Sequence, residues 1–441
     1  MRAAAFQVVT GRLGGRKFDY YVNGTTGNDA NAGTQSAPFA TMTQLRTVIG
    51  ALPANSVKRA YIAPMTYTNQ DLDVVFANDG CVVTVVMPAG TILERNDAFT
   101  GNAIQAETGA STLIVIGDKS NRPIVRGFAT GDGNGLGQAG SSTIYCYGVR
   151  FENCVDGASA HGALGGLYSY DNEFVAMSKG GVAHVHTGAC VVEHHRDYIS
   201  CVSTPVNGIV GTFGEPTTPT LFESCVADPP VVGLRLTMQS ASWIGGRIGS
   251  TTLSVNLDHQ SNSTANAVIQ DAYVHAYAEG NTSLLLTRCF GRFSARQNSG
   301  ANLGIRIRNC IFAAGVIGGP AIGTPSSVYF NGYDFGGGSH FSIRSSIVSG
   351  MSVGVGGSFN STFANYFKAT TPAGFESYCS FWSNSTNVHA SLIAASADVS
   401  TGNITTDPKL GPCNTYAQAD WAVLPSSPCI GAGYGGEVIG F

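Results

Sequence analysis

Charge is scarce in this chain of 441 residues. Asp, Glu, Lys and Arg supply 12% of it, about half the usual share. The net charge is −4 and no Lys/Arg block occurs, so the electrostatic footprint of a nucleic-acid binder is missing and no nucleic acid is expected as a partner. Long apolar runs are missing too. The Val82 to Met87 run is strand-sized, far short of the ~18 residues of a membrane span, and no membrane insertion is expected. Met1 to Gln7 lacks the apolar stretch of a secretory signal. The eleven cysteines form no CxxC pair and no zinc spacing, and no cofactor follows from them. With 57 glycines and few charges, the polar surface must come from Ser, Thr, Asn and backbone.

Repetition is what the chain has instead. A small polar residue or Asn, often a Cys, and then an apolar residue recur as Asn153-Cys154-Val155, Asn172-Glu173-Phe174, Asp197-Tyr198-Ile199 and Ser224-Cys225-Val226. The series continues through Gly246-Arg247-Ile248, Asp271-Ala272-Tyr273, Arg288-Cys289-Phe290, Asn309-Cys310-Ile311, Ser345-Ser346-Ile347 and Tyr378-Cys379-Ser380. The intervals run from 17 to 36 residues. A loose period of this size means stacked supersecondary units in which each repeat packs on its neighbours. Cys154, Cys225, Cys289, Cys310 and Cys379 then read as small buried hydrophobes stacked coil on coil. Cys413 and Cys429 lie outside the repeat and are the candidate pair for a disulfide.

Residues 1–18 have no period and read as an arm or attachment segment. In residues 19–60 a short strand, Tyr20-Tyr21-Val22, precedes a turn-rich stretch. Phe39, Met42, Leu45, Ile49 and Leu52 then recur at helical spacing, with Thr41 near the helix start. Such a helix covers the open end of a solenoid. Residues 61–400 are short alternating β-runs bounded by Gly, Asn, Asp or Ser, such as Gly233-Leu234-Arg235-Leu236 and Ser254-Val255-Asn256-Leu257-Asp258. Residues 313–340 read as a Gly-rich side loop, and 401–441 as a closing segment. The fold class expected is all-β: a single-stranded parallel β-helix of about ten to twelve coils with an N-terminal capping helix.

Tyr20-Tyr21-Val22, Gly27, Asp29, Gly33-Thr34, Pro38-Phe39, Thr41 and Leu45 resemble the opening of right-handed parallel β-helix proteins of the pectate-lyase-like superfamily. The tail, Asp407-Pro408, Trp421 to Leu424 and Ser427-Pro428-Cys429-Ile430-Gly431, is similar to their closing segment. Within that superfamily the chain looks most like a bacteriophage tailspike. The resemblance implies a homotrimer in the virion, attached to a tail or adaptor protein, that binds a bacterial surface polysaccharide and in many cases cuts it. Two alternatives stay open. One is a stand-alone polysaccharide lyase or glycoside hydrolase; the other is a structural virion fibre or capsid-decoration protein.

In a β-helix, outward residues on successive coils stand about 4.8 Å apart and form a row suited to a chain-like ligand. The row expected here takes His184 and His186, Thr212, Arg235 and Thr237, Asn256 and Asp258, and then His275, Tyr277 and Glu279. His184, His186, Arg235, Asn256 and Tyr277 are its candidate binding residues. A glycosidase needs two carboxyl groups about 5–9 Å apart, and Asp258 and Glu279 qualify if they sit on adjacent coils. Glu193 and Asp197, in the dense polar cluster Glu193-His194-His195-Arg196-Asp197, are the other candidates. A lyase would instead need a base and a neutraliser of the substrate carboxylate, such as Arg235 or Ca²⁺. Asp29-Ala30-Asn31-Ala32-Gly33 has the beginnings of a Ca²⁺ loop but also reads as an Asx-turn into the capping helix. Tyr168, Tyr170, Trp243 and Trp382 are candidates for stacking on sugars; Phe174 and Phe290 read as core.

Overall fold

The alternating runs wind into three parallel sheets in the computed structural model. The structure describes residues 17–97, 101–130, 133–161, 164–177, 180–185, 190–201, 208–213, 220–228, 234–237, 241–249, 255–259, 267–280, 283–297, 304–313, 326–332, 340–349, 353–358, 376–377, 379–382, 386–388, 403–411, 416–432 and 436–441; in many of the later strands the backbone alone is described. The first sheet has 14 strands, from Tyr20–Val22 to Glu376–Ser377. The second runs from Thr66–Thr68 to Ser380–Trp382. The third starts at Leu72–Val75 and ends at Thr386–Val388. One coil is, for example, Val82–Val86, Ile92–Glu94 and Ile104–Glu107. Every strand of the first sheet after Tyr20–Val22 opens a coil, so there are thirteen, more than the sequence suggested. Loose repeats hid the first coils, whose corners lack the Asn-Cys pattern.

Inside, alternation places one apolar column per position. Val83, Leu113, Ile144, Leu167 and Val192 align in register and are wholly buried. Flat rings stack the same way: Phe151 on Phe174 at 5.1 Å, His194 on Phe222 at 5.0 Å and Phe222 on Trp243 at 5.1 Å. Trp243 is therefore core and not a sugar-stacking surface, a correction of the sequence reading. Phe174 and Phe290 are core as expected. Ser326–Gly332 pairs with the strands on either side of it in the third sheet, so the stretch 313–340 contributes a rung and is not simply a side loop.

The helix, α1, spans Met42–Gly50. Thr41 caps it, its hydroxyl accepting from Gln44 N at 3.1 Å. Asp29 braces the cap: its carboxylate accepts from Ala40 N and Thr41 N, both at 2.9 Å, and from the Thr41 hydroxyl at 2.7 Å. Met42, Leu45 and Ile49 are fully buried over the first coil. Phe39 and Leu52 lie outside the helix and are buried as well.

The recurrent motif is the corner between the first and second sheets. Asp171, Arg196, Ser224, Asp271, Arg288, Asn309 and Ser345 each turn the chain at φ between 48° and 57°. The next residue points inward, giving the column Val149, Asn172, Asp197, Cys225, Gly246, Ala272, Cys289, Cys310, Ser346 and Cys379. Asn172 and Asp197 thus occupy the buried place, one residue later than the sequence reading had them. Cys154 belongs to a different corner, after Arg150–Glu152. At Gly246, with φ 72°, a Cβ would stand 2.1 Å from Cys225 O, so only glycine fits. Cys429 is a free buried thiol, which corrects the disulfide candidate; Cys413 lies outside the described residues.

The closing segment does more than continue the stack. Ile404 bridges to Ser380. Residues 416–432 and 436–441 then fold back along the outer side of the second sheet, where Trp421, Cys429 and Ile439 bury against Tyr273, Phe290, Ile311 and Ile347. No helix among the described residues is long and apolar enough to cross a membrane.

The corner predicts its own test. Asn172 is wholly buried; it accepts from Val149 N at 2.8 Å and donates to Cys146 O at 2.9 Å and to the Ser169 hydroxyl at 2.8 Å. Asn172→Ala strands these groups and should cost about 2–3 kcal/mol in urea unfolding. A loss under about 1 kcal/mol would show that the column is not held by this side chain.

Candidate functional site

Two columns of the third sheet carry the polar row that the alternation predicted. Arg235, Asn256 and Tyr277 are direct partners on successive strands, and so are Thr237, Asp258, Glu279 and Arg296. Asp258 and Glu279 therefore sit on adjacent coils at the same level. The column between them, Leu236, Leu257 and Ala278, and the flanking one, Leu234, Val255 and Ala276, are apolar, and Ala276 is buried in the core. The pleat places the polar columns on the opposite, outer face. His184 pairs with Thr212, but Gly211 pairs with Thr237. A register shift between Gly208 and Val210 thus leaves the His184 column one residue out of step with Asp258. His275 is buried. His186 lies outside the described residues.

At the N-terminal end the same outer face holds a site that sequence reasoning missed. Leu72, Val74, Ile104 and Ala106 point into the core, which puts Asp73, Gln105 and Glu107 on the other side of the sheet, where Gln105 is itself buried and Asp73 and Glu107 are half-buried. Asp73 pairs with Gln105, so Glu107 is its diagonal neighbour, at a backbone separation of about 8 Å from strand spacing and rise. Beside them Asp71 is only 2% exposed and is held by Arg46 and by Arg95, the latter at 2.6 Å. Oδ1 of Asp73 is buried without a hydrogen-bond partner among the described residues. Burial, aided by the Glu107 and Asp71 carboxylates, pushes Asp73 up to about 7. At neutral pH one carboxyl of the pair thus holds its proton about half the time. An amide network flanks it: Asn134 Nδ2 donates to Asn102 Oδ1 at 2.7 Å, and Asn102 donates to Gln105 Oε1. The signal in the sequence is the alternation Leu72-Asp73-Val74 and Ile104-Gln105-Ala106-Glu107. It was missed because the corners of these coils lack the recurrent Asn-Cys pattern.

Glu193 stands on the outer face of the first sheet. Tyr145 stacks on Tyr168 at 4.6 Å, and Tyr147, Tyr170 and His195 stack in turn at 4.7 and 4.6 Å. These rings cover one another's faces, which leaves Tyr168 and Tyr170 their edges rather than a platform. His195 joins two coils, with Nε2 3.2 Å from Glu193 and Nδ1 2.6 Å from Glu223. Burial works against the charged ring, but the bonds to both carboxylates outweigh it and raise its pKa. Asp197 sits elsewhere: it is buried at the corner, where it accepts from Asn172 N and lies 2.8 Å from Nδ1 of the buried His194. Only the backbone of Trp382 is described. The oxygens of Asp29 are taken up by the helix cap. The fold defines the class of the protein, a parallel β-helix. No family model and no curated protein matches the chain.

Two pH dependences follow. Asp73 has a folded pKa above its unfolded value, so the folded chain holds this proton more tightly and stability falls as pH rises from about 4 to about 7. Asp73→Asn should therefore unfold at a higher temperature than the parent above pH 7 and at a similar one near pH 4; a difference independent of pH would contradict this. The His195 bridge is complete below its unfolded value of about 6.5 and is lost as pH rises through the higher folded value. His195→Gln should cost up to about 1 kcal/mol at acidic pH and less at alkaline pH, as read by denaturant titration at both.

Proposed function

We propose that the protein is a receptor-binding spike of the bacteriophage tailspike kind, which lays a bacterial surface polysaccharide along the outer face of its third sheet. The observation that carries this reading is the register of Arg235–Asn256–Tyr277 and Thr237–Asp258–Glu279–Arg296. A polymer with a short repeat needs equivalent contacts at regular intervals on a rigid support, and stacked strands supply them every ~4.8 Å. Polar groups of Asn, Thr and Tyr type suit hydroxyl-rich ligands. In this reading the chain acts as a homotrimer and its N-terminal arm docks to a tail or adaptor protein.

Cleavage of the glycan is a second reading, favoured by the Asp73–Glu107 pair. Hydrolysis needs one protonated and one ionised carboxyl. Asp73 would protonate the leaving oxygen, and Glu107 would either activate water or attack the sugar directly. Asp258 and Glu279 are the rival pair.

Binding of purified bacterial surface polysaccharides, release of reducing ends, and mass by light scattering test these readings together. Asp258→Asn with Glu279→Gln should weaken binding about tenfold, a loss of roughly 1.4 kcal/mol. Asp73→Asn or Glu107→Gln should stop release of reducing ends and leave binding in place. Binding untouched by changes at Asp258 and Glu279 would remove the third-sheet assignment, and a monomer would remove the spike.

A further inference from the structure

The outer face of the first sheet changes charge along its length. From the tyrosine ladder onward, two of its outward columns reach Glu193 and Glu223. They pass through Ser242, Ile244, Val268, Gln270, Leu285 and Thr287, which carry no charge. They then arrive at Arg306 and Arg308, and Arg308 pairs directly with Arg344 on the next strand. The inward partners Ile305, Ile307 and Ile343 alternate with them, and Ile307 is wholly buried, so the pleat puts all three arginines on the outer face.

At the outward register positions beside them the flanking strands offer Leu285 and Thr287 on one side and, beyond Arg344, Ser377 on the other, while Glu376 on that last strand pairs with the inward Ile343. No Asp or Glu occurs between Glu279 and Asp334, a stretch that contains five arginines. Glu223 is four strands away, roughly 19 Å by strand spacing, beyond the ~8 Å screening length at physiological salt. Arg308 is exposed, and no carboxylate pairs with it among the described residues. Arg126, Arg150, Arg196 and Arg288, by contrast, each meet a carboxylate. Like charges directly opposite on adjacent strands destabilise a sheet. Arg308 opposite Arg344 is such a pair, in a chain poor in charge.

We propose that Arg306, Arg308 and Arg344 form a binding site for the carboxylate groups of an acidic polysaccharide. Guanidinium groups match carboxylates with paired hydrogen bonds. Strands about 4.8 Å apart, with outward residues about 6.6 Å apart along each, present them as a two-dimensional array. The inference rests on the glycan reading above and adds to it: the glycan is anionic, and it meets a second face, near the C-terminal coils.

The test is titration of the full chain with polygalacturonate, with neutral dextran and with a double-stranded oligonucleotide, each at low and high salt. Polygalacturonate should bind, and high salt should weaken it. Arg308→Gln with Arg344→Gln should weaken it about tenfold or more, while Arg308→Lys with Arg344→Lys, which keeps the charge, should retain most of the affinity. Unaltered far-ultraviolet dichroism and melting temperature exclude a folding defect. The proposal is overturned if polygalacturonate fails to bind, or if the Gln variant binds it as the parent does. It is also overturned if the oligonucleotide binds more tightly and depends on the same arginines. Binding of a neutral or acidic glycan that needs Asp258 and Glu279 but not the arginines would leave the third-sheet reading standing and sink this one.

Discussion

A single hydrogen-bond handover holds the rod together. At every corner the chain must reverse its side-chain phase, and its backbone groups face inward with no water to meet them. The solution recurs from coil to coil. The first N–H of each second-sheet strand donates to the inward corner residue of the coil before, as Tyr198 does to Asn172 O, Val226 to Asp197 O, Ile311 to Cys289 O and Ile347 to Cys310 O. Buried backbone groups must be paired, and here the partner always belongs to a neighbouring coil. The left-handed turn residue is what aims them. Its cost is spread over short polar residues and arginines, and two pairs of neighbouring turns recover part of it through the ion pairs Arg196–Asp171 and Arg288–Asp271. The inward residue must be small or must hydrogen-bond, which is why Cys, Asn, Asp, Ser, Ala and Gly share one column.

This constraint divides the residues by task. Inward columns are occupied by apolar groups or by groups that satisfy a neighbouring coil. Outward columns are released from that duty and carry the variation: a tyrosine ladder, a histidine clasped by two glutamates, a shielded aspartic acid beside a glutamate, and an arginine array. Neighbouring positions in such columns are fixed at strand spacing, so a ligand meets them as a ruled surface. The coils near the N-terminus pair many of their charges closely, whereas the stretch between Glu279 and Asp334 carries five arginines and no Asp or Glu. The small net charge of the whole chain therefore hides a polarity along its length.

How much of this was legible depended on the spacing of each element. Alternation exposed the strands and the outward row through Asp258 and Glu279, because no bulge interrupts those strands. The capping helix was legible from Met42, Leu45 and Ile49 together with the Thr41 cap. The phase of His184 was not, since the slip at Gly208 and Val210 leaves no mark in composition. Asn172 and Asp197 were read one place early because a short polar residue suits both the turn and the buried position; only the neighbouring Asp171 and Arg196, already in the turn, decide between them. Trp243 was read as exposed, since its neighbours Ser242 and Ile244, one polar and one apolar, give no sign of its face. Asp73 with Glu107, and Arg308 with Arg344, come together only through register, over separations of 34 and 36 residues that no local pattern links.

The fold-back of the closing segment has a consequence for the order in which the molecule can be completed. Gln418 hydrogen-bonds to Asp271, and Asn309 to Val438, contacts that span 147 and 129 residues of chain. Tyr273, Phe290, Ile311 and Ile347 are laid down long before Trp421 and Ile439 exist to shelter them. A coil stack can grow by local addition as the chain emerges, but this side of it stays uncovered until Trp421 and Ile439 have been made. Contacts of such sequence separation form slowly, and exposed apolar strips on incomplete chains favour aggregation. The closing segment thus acts as a latch on coils made well before it, and their yield depends on its docking.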